Sequence, residues 1–113
     1  PPLTQLFSDP TLVTRQMLED MLKFTRLEGV DKALQQLNTA LFEGGRQKLD
    51  LRHRVGRQPS LVIWGSDDAI IPARHAEGLD AQVEILPGQG HMVQLEAAER
   101  VNQVMAAFLK SQP

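Results

Sequence analysis

Residues 61–72 read Leu-Val-Ile-Trp-Gly-Ser-Asp-Asp-Ala-Ile-Ile-Pro, and this stretch decides the fold class. Its first four residues form a short apolar run between Pro59 and Gly65, which is typical of a β-strand buried on both faces. Two aspartates, Asp67 and Asp68, follow in the next loop. In α/β proteins, catalytic groups and ligands collect at the carboxyl ends of parallel strands, so these carboxylates are candidate site residues.

A second strand and loop follow further along the chain. Residues 83–86 predict a strand that a Pro-Gly pair ends, and His91 comes shortly after it. Residues 101–109 then carry apolar side chains at helical spacing. Strand, helix, strand and helix joined by short loops predict an α/β fold with two parallel strands and a right-handed crossover. The loops that carry Asp68 and His91 are therefore expected to be neighbours.

The first half of the chain predicts helices. Thr14 is a candidate N-cap for a helix that stops at Gly29. Residues 30–41 predict a second helix with one apolar face, and we interpret Gly44 and Gly45 as its end. The stripe that contains Met17 and Met21 is interpreted as core. These patterns predict a helical segment before the α/β part of the chain.

Composition and charge limit the function classes. The chain has 113 residues, and its net charge of −2 gives no electrostatic case for nucleic acid or an anionic membrane. Residues 46–57 are basic, and we interpret them as a solvated surface. No apolar run is long enough to cross a membrane. The chain has no cysteine, which excludes thiolate chemistry and is compatible with the predicted cytoplasmic location. We place the domain boundary between residues 1–58 and 59–113.

Asp68 and His91 form the candidate catalytic pair. A carboxylate that accepts a hydrogen bond from a histidine ring fixes its tautomer and stabilises the imidazolium that forms when it takes a proton. Asp67 is the alternative acid, whereas His75 and His53 are interpreted as surface residues. A metal or phosphoacceptor site at the two aspartates would need more clustered ligands, so we predict no metal site.

The second half resembles the C-terminal part of α/β-hydrolase-fold enzymes. Residues 61–72 are similar to the acid-bearing strand and loop of that family, and residues 83–95 to its final strand and histidine loop. Residues 101–109 are similar to its last helix. The chain order of acid before histidine also agrees. The resemblance implies that Asp68 is the acid of a catalytic triad and that His91 is its base.

The first half is similar to the catalytic region of acetoin dehydrogenase dihydrolipoyllysine acetyltransferases. The matching stretches are residues 9–17, 26–31 and 44–47. This resemblance implies that residues 1–58 are the end of a helical lid. It also implies transfer of an acetyl group between a lipoyl group and coenzyme A, which are then substrates. The sequence identifies no residues that bind them.

One part of the family pattern is missing. The nucleophile motif Gly-x-Ser-x-Gly does not occur at any of the four serines, Ser8, Ser60, Ser66 and Ser111. We therefore expect a piece of a longer enzyme, inactive alone, whose remaining N-terminal part supplies the nucleophile and the oxyanion hole. The alternatives are a fragment of an esterase or a carbon–carbon bond hydrolase of the same fold, or a non-catalytic assembly module.

The resemblance to α/β hydrolases also leads us to expect association, because the family fold contains strands that this chain does not include. In the family fold, the strand at residues 61–64 lies between two other strands, so one of its edges is expected to be open here. The lid helices would also lack the body that they cover. We therefore expect the isolated chain to self-associate, most simply as a two-fold dimer.

Overall fold

The computed structural model describes residues 2–113, and it shows an α/β protein that divides into two compact units. The helical unit is Thr14–His53, and the sheet unit is formed by residues 2–13 together with Arg54–Pro113. The sequence places a boundary at residue 58 instead. The units are bounded differently because residues 2–13 bond to the histidine loop: the amide of Met92 donates to the carbonyl of Leu6 at 3.0 Å.

Two helices form most of the helical unit. Helix α1 is Arg15–Thr25, helix α2 is Val30–Leu41, and the two are in contact. The predicted N-cap is confirmed, because the hydroxyl oxygen of Thr14 accepts from the amide of Met17 at 3.2 Å. This contact satisfies one of the free amides of the first helical turn.

A short hairpin that the sequence analysis missed follows helix α2. Strand β1, Phe42–Glu43, pairs antiparallel with strand β2, Arg46–Gln47. Gly44 and Gly45 form the two-residue turn with φ angles of 57° and 77°. A turn with positive φ at both central residues matches the twist of the paired strands, and glycine adopts it without steric cost.

The apolar residues of the helical unit are exposed. Met17 retains 36% and Met21 43% of its accessible surface, so the interpretation of this stripe as core is wrong for this structure. None of the residues 14–53, all of which the structure describes, is buried. The apolar faces of α1 and α2 therefore lack a covering surface.

The sheet unit contains two parallel strands. Strand β3 is Leu61–Gly65, strand β4 is Gln82–Leu86, and the two pair in register from Leu61 opposite Gln82 to Gly65 opposite Leu86. Their carboxyl ends therefore lie side by side. Within residues 2–113 this sheet contains β3 and β4 alone, so the second edge of β3 has no strand beside it. Short 3₁₀ turns complete the chain at Leu3–Leu6, Pro10–Leu12, Arg52–Arg54 and Ala73–Ala76.

Two helices cover the sheet. Helix α3 is Val93–Glu96, helix α4 is Ala98–Ser111, and both contact β3. Valines at helical spacing on α4 turn inward, as expected for an amphipathic helix. The core cluster consists of Leu86, Val93 and Val101, with Ile63 and Ala97 packed against it.

Candidate active site

Two loops that follow β3 and β4 form the candidate site. Backbone hydrogen bonds join them: the amide of Ser66 donates to the carbonyl of Leu86 at 3.0 Å, and that of Asp67 to the carbonyl of Gln89 at 2.9 Å. The hydroxyl oxygen of Ser66 also accepts from the amide of Gly88 at 2.8 Å. These hydrogen bonds hold the two loops together independently of Asp68 and His91.

Asp68 and His91 meet between these loops. Nδ1 of His91 lies 2.9 Å from Oδ2 of Asp68, which is a hydrogen-bond distance. The Asp68 side chain retains only 4% of its accessible surface, whereas that of His91 retains 31%. The acid is thus enclosed, while the imidazole is still reachable from solution.

The second carboxylate oxygen of Asp68 is held by the backbone. Oδ1 accepts from the amides of Ile70 at 2.8 Å and Ile71 at 2.9 Å. Burial raises the pKa of Asp68, but the hydrogen bonds from Ile71, His91 and Ile70 outweigh it, and the net pKa lies below its ordinary value. The loop that carries Asp68 is fixed in turn by Trp64, whose indole N–H donates to the carbonyl of Ile71 at 2.9 Å.

The ionised carboxylate determines the tautomer of the histidine. Because a carboxylate only accepts, the proton of this hydrogen bond belongs to Nδ1 of His91, which donates to Asp68. Nε2 of the neutral ring then carries a lone pair. The arrangement allows His91 to accept a proton at Nε2 while Asp68 stabilises the resulting imidazolium.

A shallow cavity lies beside the pair. Its volume is about 240 Å³, and Asp68 and His91 line it together with the apolar side chains of Ile63, Ile71 and Val93. An apolar wall with two convergent polar groups is typical of a small-molecule site.

The other candidate residues lie elsewhere. Asp67 is exposed and accepts from the hydroxyl of Ser66 at 2.7 Å, so the structure brings Asp68 and not Asp67 to His91. His75 is exposed on the 3₁₀ turn that follows Pro72, and His53 belongs to the helical unit.

The hydroxyls of all four serines have partners other than His91. Ser8 donates to the carboxylate of Glu96, and Ser66 donates to that of Asp67. Ser60 donates to the carbonyl of Gln58, and Ser111 donates to the carbonyl of Phe108. Among residues 2–113, no three His, Asp or Glu side chains are grouped as a metal site would require. No helix in the same range is long and apolar enough to cross a membrane.

Sequence reasoning missed two residues that hold the site together. Ser66 joins the two loops, and a hydroxyl next to the two aspartates was a usable signal for it. Glu96 bonds to Gly90 beside the histidine and to Ser8, which is 88 positions away in the chain. No local pattern reveals a contact of that separation.

An acid and a histidine at the carboxyl ends of adjacent parallel strands are the arrangement of α/β-hydrolase-type enzymes. The chain is 64% identical, over 97% of its length, to the dihydrolipoyllysine-residue acetyltransferase component of the acetoin cleaving system of Pseudomonas putida. It is 42% identical, over 96% of its length, to the component of the same name from Cupriavidus necator. The resemblance to these acetyltransferases that the sequence predicts is therefore confirmed.

The chain is also similar to a hydrolase. It is 31% identical, over 96% of its length, to the 2-hydroxy-6-oxononadienedioate/2-hydroxy-6-oxononatrienedioate hydrolase of Burkholderia vietnamiensis, of which it covers 45%. It spans 30% of the length of the two acetyltransferase components. No protein-family model matches the chain. The relatives named here are enzymes, and the chain matches a part of each.

Proposed function

We propose that this chain supplies the acid and the base of a catalytic triad to an α/β-hydrolase-fold acyltransferase. The reaction is transfer of an acetyl group between a dihydrolipoyl group and coenzyme A. The observation that carries the proposal is the contact of 2.9 Å between Nδ1 of His91 and Oδ2 of the enclosed Asp68. The names of the two acetyltransferase relatives support the choice of substrates.

The first half-reaction uses His91 as a base and then as an acid. Nε2 takes the proton of a serine hydroxyl, supplied by the rest of the enzyme, while the serine oxygen attacks the carbonyl carbon of the S-acetyl group. His91 then gives this proton to the sulfur of the departing dihydrolipoyl thiolate. The acetyl group is left on the serine, and the imidazole is neutral again.

The second half-reaction is the reverse with another thiol. Nε2 of His91 accepts the thiol proton of coenzyme A, and the thiolate sulfur attacks the acetyl-serine carbonyl. The serine oxygen leaves and recovers the proton from His91. In both halves, Asp68 stabilises the imidazolium and keeps Nδ1 protonated.

Residues 1–58 are proposed as the end of a lid that covers this site in the whole enzyme. The exposed apolar faces of α1 and α2 support the proposal, because a lid helix needs a surface to cover. The cytoplasmic location stays a prediction.

The test is an acetyl-transfer assay with the full-length protein and the variants Asp68→Asn and Asp67→Asn. S-acetyldihydrolipoamide and coenzyme A are the substrates, and acetyl-coenzyme A is measured by mass spectrometry. Asp68→Asn is expected to lower kcat by about 10⁴-fold, since the histidine tautomer is then wrong. Asp67→Asn is the matched control and is expected to retain activity, because Asp67 does not contact His91.

Two results would contradict the proposal. A larger loss in Asp67→Asn than in Asp68→Asn would show that the acid is misassigned. Release of free acetate in place of acetyl-coenzyme A would favour the hydrolase alternative, which the Burkholderia relative supports. The isolated chain, which lacks the nucleophile motif, is expected to cleave p-nitrophenyl acetate no faster than its own His91→Ala variant.

Association is part of the proposal. In the whole enzyme, the remaining N-terminal part is proposed to cover the free edge of β3, and the isolated chain is proposed to self-associate instead. Support comes from the pairing of β3 with β4 alone among residues 2–113 and from the exposed apolar helices. Sedimentation at micromolar concentration is the measurement, and a monomer with no mass increase on concentration would contradict it.

A further inference from the structure

The histidine loop is bonded on both sides of His91. The amide of Gly90, the residue before it, donates to Oε1 of Glu96 at 2.9 Å. The amide of Met92, the residue after it, donates to the carbonyl of Leu6 at 3.0 Å. Both bonds fix backbone atoms directly adjacent to the catalytic candidate.

Glu96 also holds the N-terminal segment. Its Oε2 accepts from the amide of Ser8 at 2.9 Å and from the hydroxyl of the same residue at 2.5 Å. One carboxylate at the end of helix α3 thus receives three hydrogen bonds from two segments that are distant in the chain. Hydrogen bonds to a charged acceptor are stronger than those between neutral groups.

Residues 6–8 lie tightly against the histidine loop. A Cβ atom on the buried Gly90 would lie 2.5 Å from the amide nitrogen of Ser8 and 2.8 Å from Oε1 of Glu96. Only glycine fits there without displacing one of the two. Phe7, the middle residue of this segment, retains 7% of its accessible surface, so its burial anchors the segment.

We propose that Glu96 is a positioning residue that, with residues 6–8, sets the place of His91 relative to Asp68. This inference rests on the proposed role of His91 as the catalytic base. The carboxylate joins the loop to the segment, and Met92 is held by the same segment through Leu6. A shift of the loop by about 1 Å lowers catalysis by up to about 100-fold.

The test uses the full-length protein with Glu96→Ala, Glu96→Gln and Ser8→Ala. Glu96→Ala loses all three hydrogen bonds, and we expect kcat to fall about 10- to 100-fold with an unchanged KM. Glu96→Gln keeps one acceptor oxygen and is expected to be intermediate. Ser8→Ala loses only the hydroxyl and is expected to lower kcat about 3-fold.

Hydrogen exchange supplies a readout that does not need activity. In Glu96→Ala, the amides of Gly90 and Met92 are expected to exchange at least about 10-fold faster, while those of strand β4 stay protected. Glu99→Ala is the matched control, because Glu99 is exposed on α4 and accepts from the side-chain amide of Gln103 at 3.4 Å, away from the histidine loop. It is expected to change neither readout.

The outcomes separate this inference from the proposed function. Unchanged exchange at Gly90 and Met92 in Glu96→Ala would overturn the positioning role, whatever the activity. Equal loss of protection in strand β4 would also overturn it, because Glu96 would then support the whole fold. If His91→Ala left the acetyl transfer intact, the proposed function would fail, while faster exchange at Gly90 would still support the contact made by Glu96.

Discussion

In the sheet unit, Val93 and Val101 of the helices pack on Leu86 of strand β4, whereas none of the residues 14–53 of the helical unit, all described by the structure, is buried. Both units contain amphipathic helices, so the hydrophobic pattern alone does not distinguish them. What differs is the presence of a partner surface. The sheet unit has its own core and holds the acid–histidine pair, and the helical unit presents apolar faces to solvent.

The largest expected effect compares the histidines of the two units. In the full-length protein, His91→Ala is expected to lower kcat for acetyl transfer on the order of 10⁶-fold, as loss of a triad base does. His53→Ala is expected to leave kcat unchanged, because His53 is exposed and lies in the helical unit. Steady-state kinetics with acetyl-coenzyme A as the measured product is the assay. Equal losses in the two variants would contradict the assignment of the chemistry to the sheet unit.

A second prediction compares the same substitution in the two units of the isolated chain. Leu86 retains 5% of its accessible surface and Leu34 retains 56%. Leu86→Ala is expected to lower the free energy of unfolding by about 2–5 kcal/mol, since it removes buried methyl groups and leaves a cavity. In a chain diluted until it is monomeric, Leu34→Ala is expected to change the free energy of unfolding by less than about 0.5 kcal/mol, because the side chain is then uncovered. Urea denaturation followed by circular dichroism measures both.

The concentration dependence of that result sharpens the comparison. At higher concentration, where the chain is proposed to self-associate, a larger loss of stability in Leu34→Ala would show that another copy covers the helical unit. The urea midpoint of the wild-type chain would then rise with protein concentration, whereas the midpoint of a monomeric chain would not.

Local sequence signals predicted the strands and loops that carry the candidate site residues, but not the long-range hydrogen bonds that hold those loops in place. The apolar run before Gly65 predicted strand β3. The loops that carry Asp68 and His91 were predicted to be neighbours, and they do lie together at the carboxyl ends of the two strands. The N-cap at Thr14 was equally local. These features succeed because each depends on residues only a few positions apart.

The features that were missed fall into two kinds. The hairpin at Gly44 and Gly45 had a local signal, two glycines between short flanking segments, that was interpreted as a helix end. The bonds between Glu96 and Ser8 had none, because they join residues brought together only by the folded sheet unit. Burial of the helical apolar faces was predicted from spacing alone, and spacing does not specify a partner.

The smallest expected effect concerns acid sensitivity, which the structure assigns to the sheet unit. The pKa of Asp68, which burial raises, is lowered on balance by its hydrogen bonds from Ile71, His91 and Ile70. The pKa of Asp9 is also lowered, by hydrogen bonds from the hydroxyl and the amide of Thr11. A carboxyl with a lowered pKa in the folded state stabilises the fold above its unfolded pKa of about 4. That stabilisation is lost as the pH falls through the lower folded pKa.

Asp68→Asn isolates the contribution of one group. Asparagine does not titrate but retains an oxygen that accepts from the amides of Ile70 and Ile71, so the loop keeps its shape. The difference in urea midpoint between the isolated wild-type chain and Asp68→Asn is therefore expected to shrink as the pH falls below about 4. Asp9 titrates in both proteins and cancels. Fluorescence of Trp64, the single tryptophan, follows the sheet unit alone, whereas circular dichroism also includes α1 and α2. A midpoint difference that stays constant from neutral to acid pH would show that ionised Asp68 does not stabilise this unit.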